Sequence, residues 1–253
     1  MAEQSRRTTG AISSDKIRKA DIPRHSEDYA ARFLAIPDTT SAVADALDEL
    51  GIGADIDVDT LRPLAPTGRI CGPAVTVRYI PLGADPSSNR HAGRGTVFGD
   101  RDLYGLGRPG DIAVMDCSGS RSGAVMGALS ARWAVKAGIA GCLVDGAIRD
   151  TESIIDTGLP VWSATTRPAA ARYRYDTVEL NGPVCLGGRL VEPGDYLVAD
   201  RDGICIIPFL DVPRVVEHCS KAHAAELAFI ERIDAAPSLE ALVAGLGSGT
   251  TPA

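Results

Sequence analysis

The sequence predicts a mixed α/β layered domain, and three observations carry that prediction. Through the middle of the chain, short apolar runs rich in β-branched residues alternate with segments of helical period, whereas strands cluster later. With 253 residues, 45% of them hydrophobic, the chain can bury one substantial core, which argues for a single domain. The strands do not repeat in a strict strand–helix rhythm, so a clean doubly wound sheet is not expected.

The elements follow in order. Residues 1–26 are polar and without periodicity and read as a flexible arm, either a free tail or a strap for a neighbouring subunit. After Asp38-Thr-Thr-Ser41, Val43, Ala46, Leu47 and Leu50 recur at helical spacing and Gly51 follows, predicting a capped amphipathic helix with a glycine stop. Past the turn residues Pro63 and Pro66, 70–80 reads as a strand. The stretch 85–101 has no pattern and reads as a long loop of the kind that sets specificity. A small-residue helix is expected over 123–137, a strand over 139–144, a short helix over 151–157 ended by Gly158, and a strand over 160–164. Strands at 184–186 and 204–207 precede a long helix from about 212 to 233. The domain spans 27–236 on this reading, and 237–253 form a C-terminal tail.

Two segments echo each other: Arg108-Pro-Gly-Asp-Ile-Ala-Val-Met-Asp116 and Glu192-Pro-Gly-Asp-Tyr-Leu-Val-Ala-Asp200. Each joins a Pro-Gly turn to a buried strand closed by an aspartate, and the economical reading is two similar turn-strand units with structural aspartates.

Composition excludes several classes of function. With 26 basic against 33 acidic residues the formal charge is -7, which disfavours nucleic acid as a partner. Six cysteines are scattered singly, mostly inside apolar runs, as buried free thiols are in a reducing compartment; no Cys-x-x-Cys pair suggests zinc. No apolar run approaches membrane-spanning length and no signal-peptide core is present, so a soluble cytoplasmic protein with no membrane partner is expected. Gly105-Leu-Gly-Arg-Pro-Gly110 matches a dinucleotide pattern but lacks the strand before it and the helix after it. Gly119-Ser-Arg-Ser-Gly123 has arginine where a nucleophile elbow needs serine. The histidines, His25, His91, His218 and His223, form no metal cage; His91, between Arg90 and Arg94 in the polar loop, is the one that could line a site.

The chemistry concentrates in Gly138-Ile-Ala-Gly-Cys-Leu-Val-Asp-Gly-Ala-Ile-Arg-Asp150. A strand there ends in adjacent Arg149 and Asp150, a cation for a carboxylate beside an anion for a divalent metal. Asp150 also stands where an N-cap of the 151–157 helix would stand, so capping and metal binding both remain open. The glycine- and serine-rich entry over 119–127 offers free helix amides as an anion seat.

With these residues the sequence resembles the RraA-like proteins, a family that includes class II pyruvate aldolases acting on 4-hydroxy-4-methyl-2-oxoglutarate and 4-carboxy-4-hydroxy-2-oxoadipate, and a regulator of RNase E. The resemblance runs from about Thr39 to Ile233 through Asp45-Ala-Leu47, Gly72-Pro-Ala-Val-Thr-Val77, Pro109-Gly-Asp111, Gly127, Val144-Asp-Gly-Ala-Ile-Arg-Asp150, Gly158-Leu-Pro-Val161, Val191-Glu-Pro-Gly-Asp195 and Asp202-Gly203. It implies a single-domain α/β/β/α sandwich of the swivelling-domain type, assembled as homotrimers or homohexamers with sites between subunits. It implies a lyase, an aldolase or oxo-acid decarboxylase, using Mg2+ or Mn2+ on a small 2-oxo acid. Asp150 would anchor the metal, Arg149 would bind the substrate carboxylate and steady the enolate, and Glu226 would serve a neighbouring subunit's site. Gly123, Ala124, Met126, Gly127, Ala128 and Leu129, with His91, would line the substrate seat. Two departures stand out: family aldolases carry an acidic residue twenty-one positions before the arginine, here Ala128, and usually another three after the aspartate, here Ser153. Another metal-assisted reaction on a hydroxy or oxo acid, or a non-catalytic protein-binding regulator, is the alternative; methyl transfer to a quinone finds no supporting cofactor loop.

Overall fold

In the structure, a computed structural model describing residues 7–246 apart from 54 and 67, side-chain parity divides the interior into three layers. Strand β3 (Ile70–Pro81) is shared by two sheets. Its first residues pair antiparallel with β11 (Tyr196–Ala199), with Cys71 opposite Val198, and its later ones pair parallel with β4 (Ile112–Asp116), with Val75 opposite Ala113. The strand order is β1 (Asp55–Asp57), β12 (Gly203–Ile207), β11, β3, β4, β6 (Gly141–Ile148), β7 (Val161–Thr166) and β2 (Arg62–Pro63). Strand β5 (Ala124–Met126) joins the far end of β6, and β8 (Tyr175–Leu180) pairs with β3. The hairpin β9 (Val184–Leu186) and β10 (Arg189–Val191) stands apart as a two-stranded sheet.

Because successive side chains of a strand face opposite ways, each buried strand feeds two cores. Ile112, Val114, Leu143 and Trp162 meet Leu197, Ala199, Ile204 and Ile206 in a central core between the sheets. Ala113, Met115, Cys142, Val144 and Val161, the alternate residues, pack beneath α4 (Asp100–Leu106), α5 (Ala128–Ala137) and α6 (Thr151–Ile155). On the opposite outer face Val198, Cys205 and Ile207 meet α1 (Tyr29–Leu34), α2 (Thr39–Glu49) and α7 (Val212–Ala235). This is the expected α/β/β/α sandwich. Near the crossing of β3 between sheets, Gly72 is obligatory: a Cβ there would stand 2.2 Å from the Gly110 carbonyl oxygen.

The structure departs from the sequence reading in four places. Residues 124–126 form β5 rather than the start of a helix, because Ala124 and Met126 pair with Ala147 and Ile148; the helix begins only at Ala128. The strand expected at 139–144 correspondingly runs on to Ile148. The stretch read as a loop holds α3 (Pro86–His91) and, from Asp100, the first turn of α4. Residues 7–26 are not a detached arm, because sparse apolar and polar anchors hold them without periodicity. Ile12 and Ile22 are buried in the core, Thr9 and the Ile12 amide bond to Asp102, and the Lys16 ammonium bonds to the Thr177 carbonyl at 2.6 Å. The remainder of that arm, 1–6, lies outside the described residues, as do 247–253 of the tail, whose 239–246 are the exposed helix α8 (Leu239–Leu246).

Both echoing segments build the same device. The aspartate after each Pro-Gly bonds to the amide three residues earlier, Asp111 to Arg108 at 2.7 Å and Asp195 to Glu192 at 2.8 Å. Each closing aspartate bonds to the amide two residues later, Asp116 to Ser118 and Asp200 to Asp202. Five cysteines are buried and Cys185 is exposed; burial pushes the Cys142 and Cys205 thiols up to about 12, so neither is a thiolate nucleophile. Among the described residues no helix is long and apolar enough to cross a membrane.

Arg24 grips buried Asp111 with both guanidinium nitrogens at 2.7 Å, tying the N-terminal segment to the β4 turn. Arg24→Ala leaves that carboxylate without its cation, and the expected loss is about 2 kcal/mol of stability, read as a lower urea midpoint with unchanged m-value.

Candidate functional site

In a parallel α/β sheet, ligands gather beyond the carboxyl ends of the strands. Here that position is the end of β6, where Ile148 pairs with Met126 and the chain turns through Arg149 and Asp150 into α6. A cleft of about 510 Å³ opens there. Its floor is the run Ala124 to Ser130, one side is Arg149 and Asp150, and another is Asp100 and Arg101 of α4. Thr9 and Ala11 of the N-terminal segment, Thr96 to Phe98, and Ala170 to Arg172 complete the wall.

Asp150 adopts the left-handed conformation, φ 56° and ψ 43°, at a local cost of about 1 kcal/mol for a non-glycine residue. The turn decides its role. It makes no side-chain bond to its own helix, α6; instead Oδ2 accepts the Ala128 amide at 3.2 Å, at the amino end of α5. That approach needs Gly127, whose Cβ would stand 2.7 Å from the same oxygen and 3.2 Å from Cγ of Arg149. Arg149 holds its backbone on the Met126 carbonyl at 3.0 Å and its Nε 3.7 Å from Asp150 Oδ2. Both side chains are 42% exposed, so the pair is loose and each partner keeps atoms free for a ligand.

Three cations border the cleft. Arg149 faces the floor, the Arg101 guanidinium lies 5.5 Å over the Trp133 ring, and that of Arg172 lies 5.4 Å over the Tyr173 ring. The first amides of α5 have no partners within the helix; Asp150 takes that of Ala128, and those of Leu129 and Ser130 belong to the same turn at the cleft. A cation with helix amides accommodates a small carboxylate.

Of the residues singled out in the sequence, Ala124, Met126, Gly127, Ala128, Leu129, Arg149 and Asp150 come together here. Gly123 lies just behind the wall, where a Cβ would stand 2.7 Å from the Ala170 carbonyl. His91 sits at the exposed end of α3, its Nδ1 2.7 Å from the Ser87 carbonyl, outside the lining. Glu226 is exposed on α7, 3.7 Å from His223, also outside the lining of its own chain's cleft. Ser153 lies on α6 and does not line it.

Asp100 was not singled out. It is 6% exposed yet borders the cleft, and burial raises its carboxyl above the usual range despite the nearby Ser130 hydroxyl, which lowers it. Its only sequence signal was Asp100-Arg-Asp102 before an apolar helical turn, which does not say which aspartate is buried toward a cavity.

Among the described residues no three of His, Cys, Asp and Glu are gathered as a metal cage. Asp150, with Oδ2 on an amide and Oδ1 without a bonded hydrogen, suits a hard cation that keeps most of its waters and draws other ligands from the substrate, as magnesium does.

The layered fold and this cleft define an α/β sandwich with an arginine-bordered cleft at its strand ends. The chain belongs to the RraA-like family, described as Aldolase/RraA, whose model matches residues 40–206. A protein of Halalkalibacterium halodurans, provisionally named 4-hydroxy-4-methyl-2-oxoglutarate aldolase, is 30% identical over 78% of this chain and 84% of its own. Protein DlpA of Legionella pneumophila is 30% identical over 67% of this chain, which spans only 26% of that longer protein. The crystal structure of Streptomyces coelicolor RraAS2, titled an unusual member of the RNase ES inhibitor RraA family, superposes with a TM-score of 0.66 at 26% identity, covering 81% of this chain and 97% of its own.

Two outcomes follow from this geometry. Gly127→Ala is expected to push Asp150 off the Ala128 amide at a stability cost of about 1–3 kcal/mol, measured by chemical denaturation, with the displacement visible by crystallography. Asp100 binds a proton more tightly folded than unfolded, so its penalty is absent below its unfolded pKa and grows as pH rises through the folded one. Asp100→Asn is therefore expected to raise the denaturation midpoint at neutral pH, with the gain vanishing near pH 4.

Proposed function

We propose that this protein is a divalent-metal-dependent carbon–carbon lyase of the class II pyruvate-aldolase type, acting on a small 2-oxo acid. The observation that carries the reading is the junction of Arg149, Asp150 and the amino end of α5 over one floor, with Gly127 permitting the close approach. The family and the aldolase name of the Halalkalibacterium halodurans relative support it.

In this reading the substrate carboxylate lies on the α5 amides and Arg149. The same guanidinium faces the 2-oxo oxygen, where negative charge develops as the C3–C4 bond breaks, and preorganised charge is most effective there. Asp150 would hold Mg2+ or Mn2+, which when bound supplies Lewis-acid stabilisation of that oxygen. Asp150 is held in place by Ala128, so it need not reorient on binding. Decarboxylation of oxaloacetate-like substrates uses the same enolate stabilisation and is the expected side activity.

Glu226 is assigned to a neighbouring copy's site. Leu129 and Trp133 beside the cleft, and Leu227 and Ile230 beside Glu226, are exposed apolar residues that support burial of both faces in a homotrimer or homohexamer. The alternative, a non-catalytic regulator of the RraA kind, leaves Arg149 and the left-handed turn at Asp150 without a task.

The test is release of pyruvate from 4-hydroxy-4-methyl-2-oxoglutarate, coupled to NADH oxidation. Activity is expected with Mg2+ or Mn2+ and not with excess chelator. Arg149→Ala is expected to cost about 10²–10³-fold in kcat/KM, and Arg149→Lys to recover little, because an ammonium lacks the planar fork. Inactivity on a panel of 2-oxo acids, with tight binding to an RNase, would reverse the assignment.

A further inference from the structure

We infer that Asp100 is the general acid of this site, the carboxylic acid that returns a proton to C3 of the enolate left when a 2-oxo acid is cleaved. The inference rests on the lyase reading above and extends it to a residue that neither the motif nor the family resemblance marks.

The argument begins with the six buried carboxyl groups among the described residues: Asp100, Asp102, Asp111, Asp116, Asp195 and Asp200. Five have evident structural work. Asp102 receives the Ile12 amide and both the amide and hydroxyl of Thr9. Asp111 receives Arg24 twice and the Arg108 amide. Asp116 receives the amides of Ser118 and Cys185, Asp195 those of Glu192 and Phe209, and Asp200 those of Thr40 and Asp202 with the Thr40 hydroxyl. Each of the five accepts at least two firm hydrogen bonds.

Asp100 differs from all of them. None of the hydrogen bonds that saturate the others falls on its carboxyl; its neighbour is the Ser130 hydroxyl, which lies 2.9 Å from the Tyr104 hydroxyl. The neighbouring cation, Arg101, lies 5.5 Å over the Trp133 ring and makes no ion pair with Asp100 among the described residues. A buried carboxyl without a firm cation is cheapest when protonated, and a protonated carboxyl on a cleft wall can donate.

Its location suits the step. Asp150 meets the first turn of α5 at Ala128, and Asp100 meets it at Ser130. The two groups line one cleft at that turn, Asp150 from the end of β6 and Asp100 from α4. A 2-oxo acid seated on that turn lies against Arg149, Asp150 and Asp100. A carboxyl thus reaches this turn from α4, although position 128 itself carries none.

The chemistry balances without a redox partner. The C4 hydroxyl loses its proton, C4 becomes a carbonyl, and the C3–C4 electron pair passes into the enolate. The Asp100 O–H bond breaks as the C3–H bond forms, yielding the methyl ketone of pyruvate. The carboxylate left behind takes a proton from solvent, equivalent to the one the hydroxyl released.

Exchange of the pyruvate methyl protons for deuterium, followed by proton NMR in D2O with Mg2+, isolates this transfer from cleavage. Asp100→Asn is expected to slow exchange about 100-fold or more, the range of general acid catalysis, while binding of oxalate, an enolate mimic, stays within about threefold by calorimetry. Exchange at the wild-type rate overturns the assignment, and so does a loss of oxalate binding as large as the loss of exchange.

Ser130→Ala removes a hydroxyl that favours the ionised form, and exchange begins with the Asp100 carboxylate taking a methyl proton, so the acidic limb of exchange is expected to move to higher pH. A stationary limb also overturns it. The other groups facing Asp100 are Arg101, Tyr79, Tyr104 and Cys142; burial holds both tyrosines well above their ordinary value and pushes the Cys142 thiol up to about 12, clear of that limb. Wild-type protein that neither exchanges nor cleaves removes the lyase reading and this role together, whereas active wild type with an unaffected Asp100→Asn removes the role alone.

Discussion

The hydrogen bond from the Ala128 amide to Asp150 organises this end of the molecule. It joins the carboxyl end of β6 to the amino end of α5 and so sets floor and wall at a fixed spacing. Two local choices permit it. Asp150 takes a left-handed conformation that turns its carboxylate away from its own helix, and Gly127 omits the one atom that would block the approach. Parallel pairing of β5 with β6 holds both backbones at the required separation. The functional geometry thus depends less on the identity of one charged pair than on where three backbone segments meet.

Much of the fold was legible because parity and period are strong signals. Alternate residues of β4 and of β6 feed different cores, and the apolar runs and their bounding turns reported those strands. What was not legible has physical causes. Ala124 and Met126 have side chains compatible with helix, and the long-range pairing with Ala147 and Ile148 selects a strand. Residues 7–26 lack periodicity because single anchors, Ile12, Ile22 and Arg24, hold them rather than a continuous apolar face.

The site divides the same way. Arg149, Asp150 and Gly127 were readable because their chemistry is carried by adjacent residues or by a glycine at a helix entry. Asp100 was not, since its environment comes from Ser130 and Tyr104, contacts that only the tertiary structure creates. The aspartates of the repeated Pro-Gly-Asp segments make the complementary point. Their sequence context is conspicuous, yet every one is saturated by nearby amides or by Arg24. Conspicuous pattern and available chemistry are separate properties of a carboxyl group.

One consequence lies in the seam between Asp102 and the segment Thr9 to Ile12. Thr9 and Ala11 border the cleft from outside the span shared with the family, which begins at residue 40. That part of the rim is supplied by residues the family model does not match, so a change at Thr9 or Ala11 alters the entrance to the cleft while leaving its floor as it is.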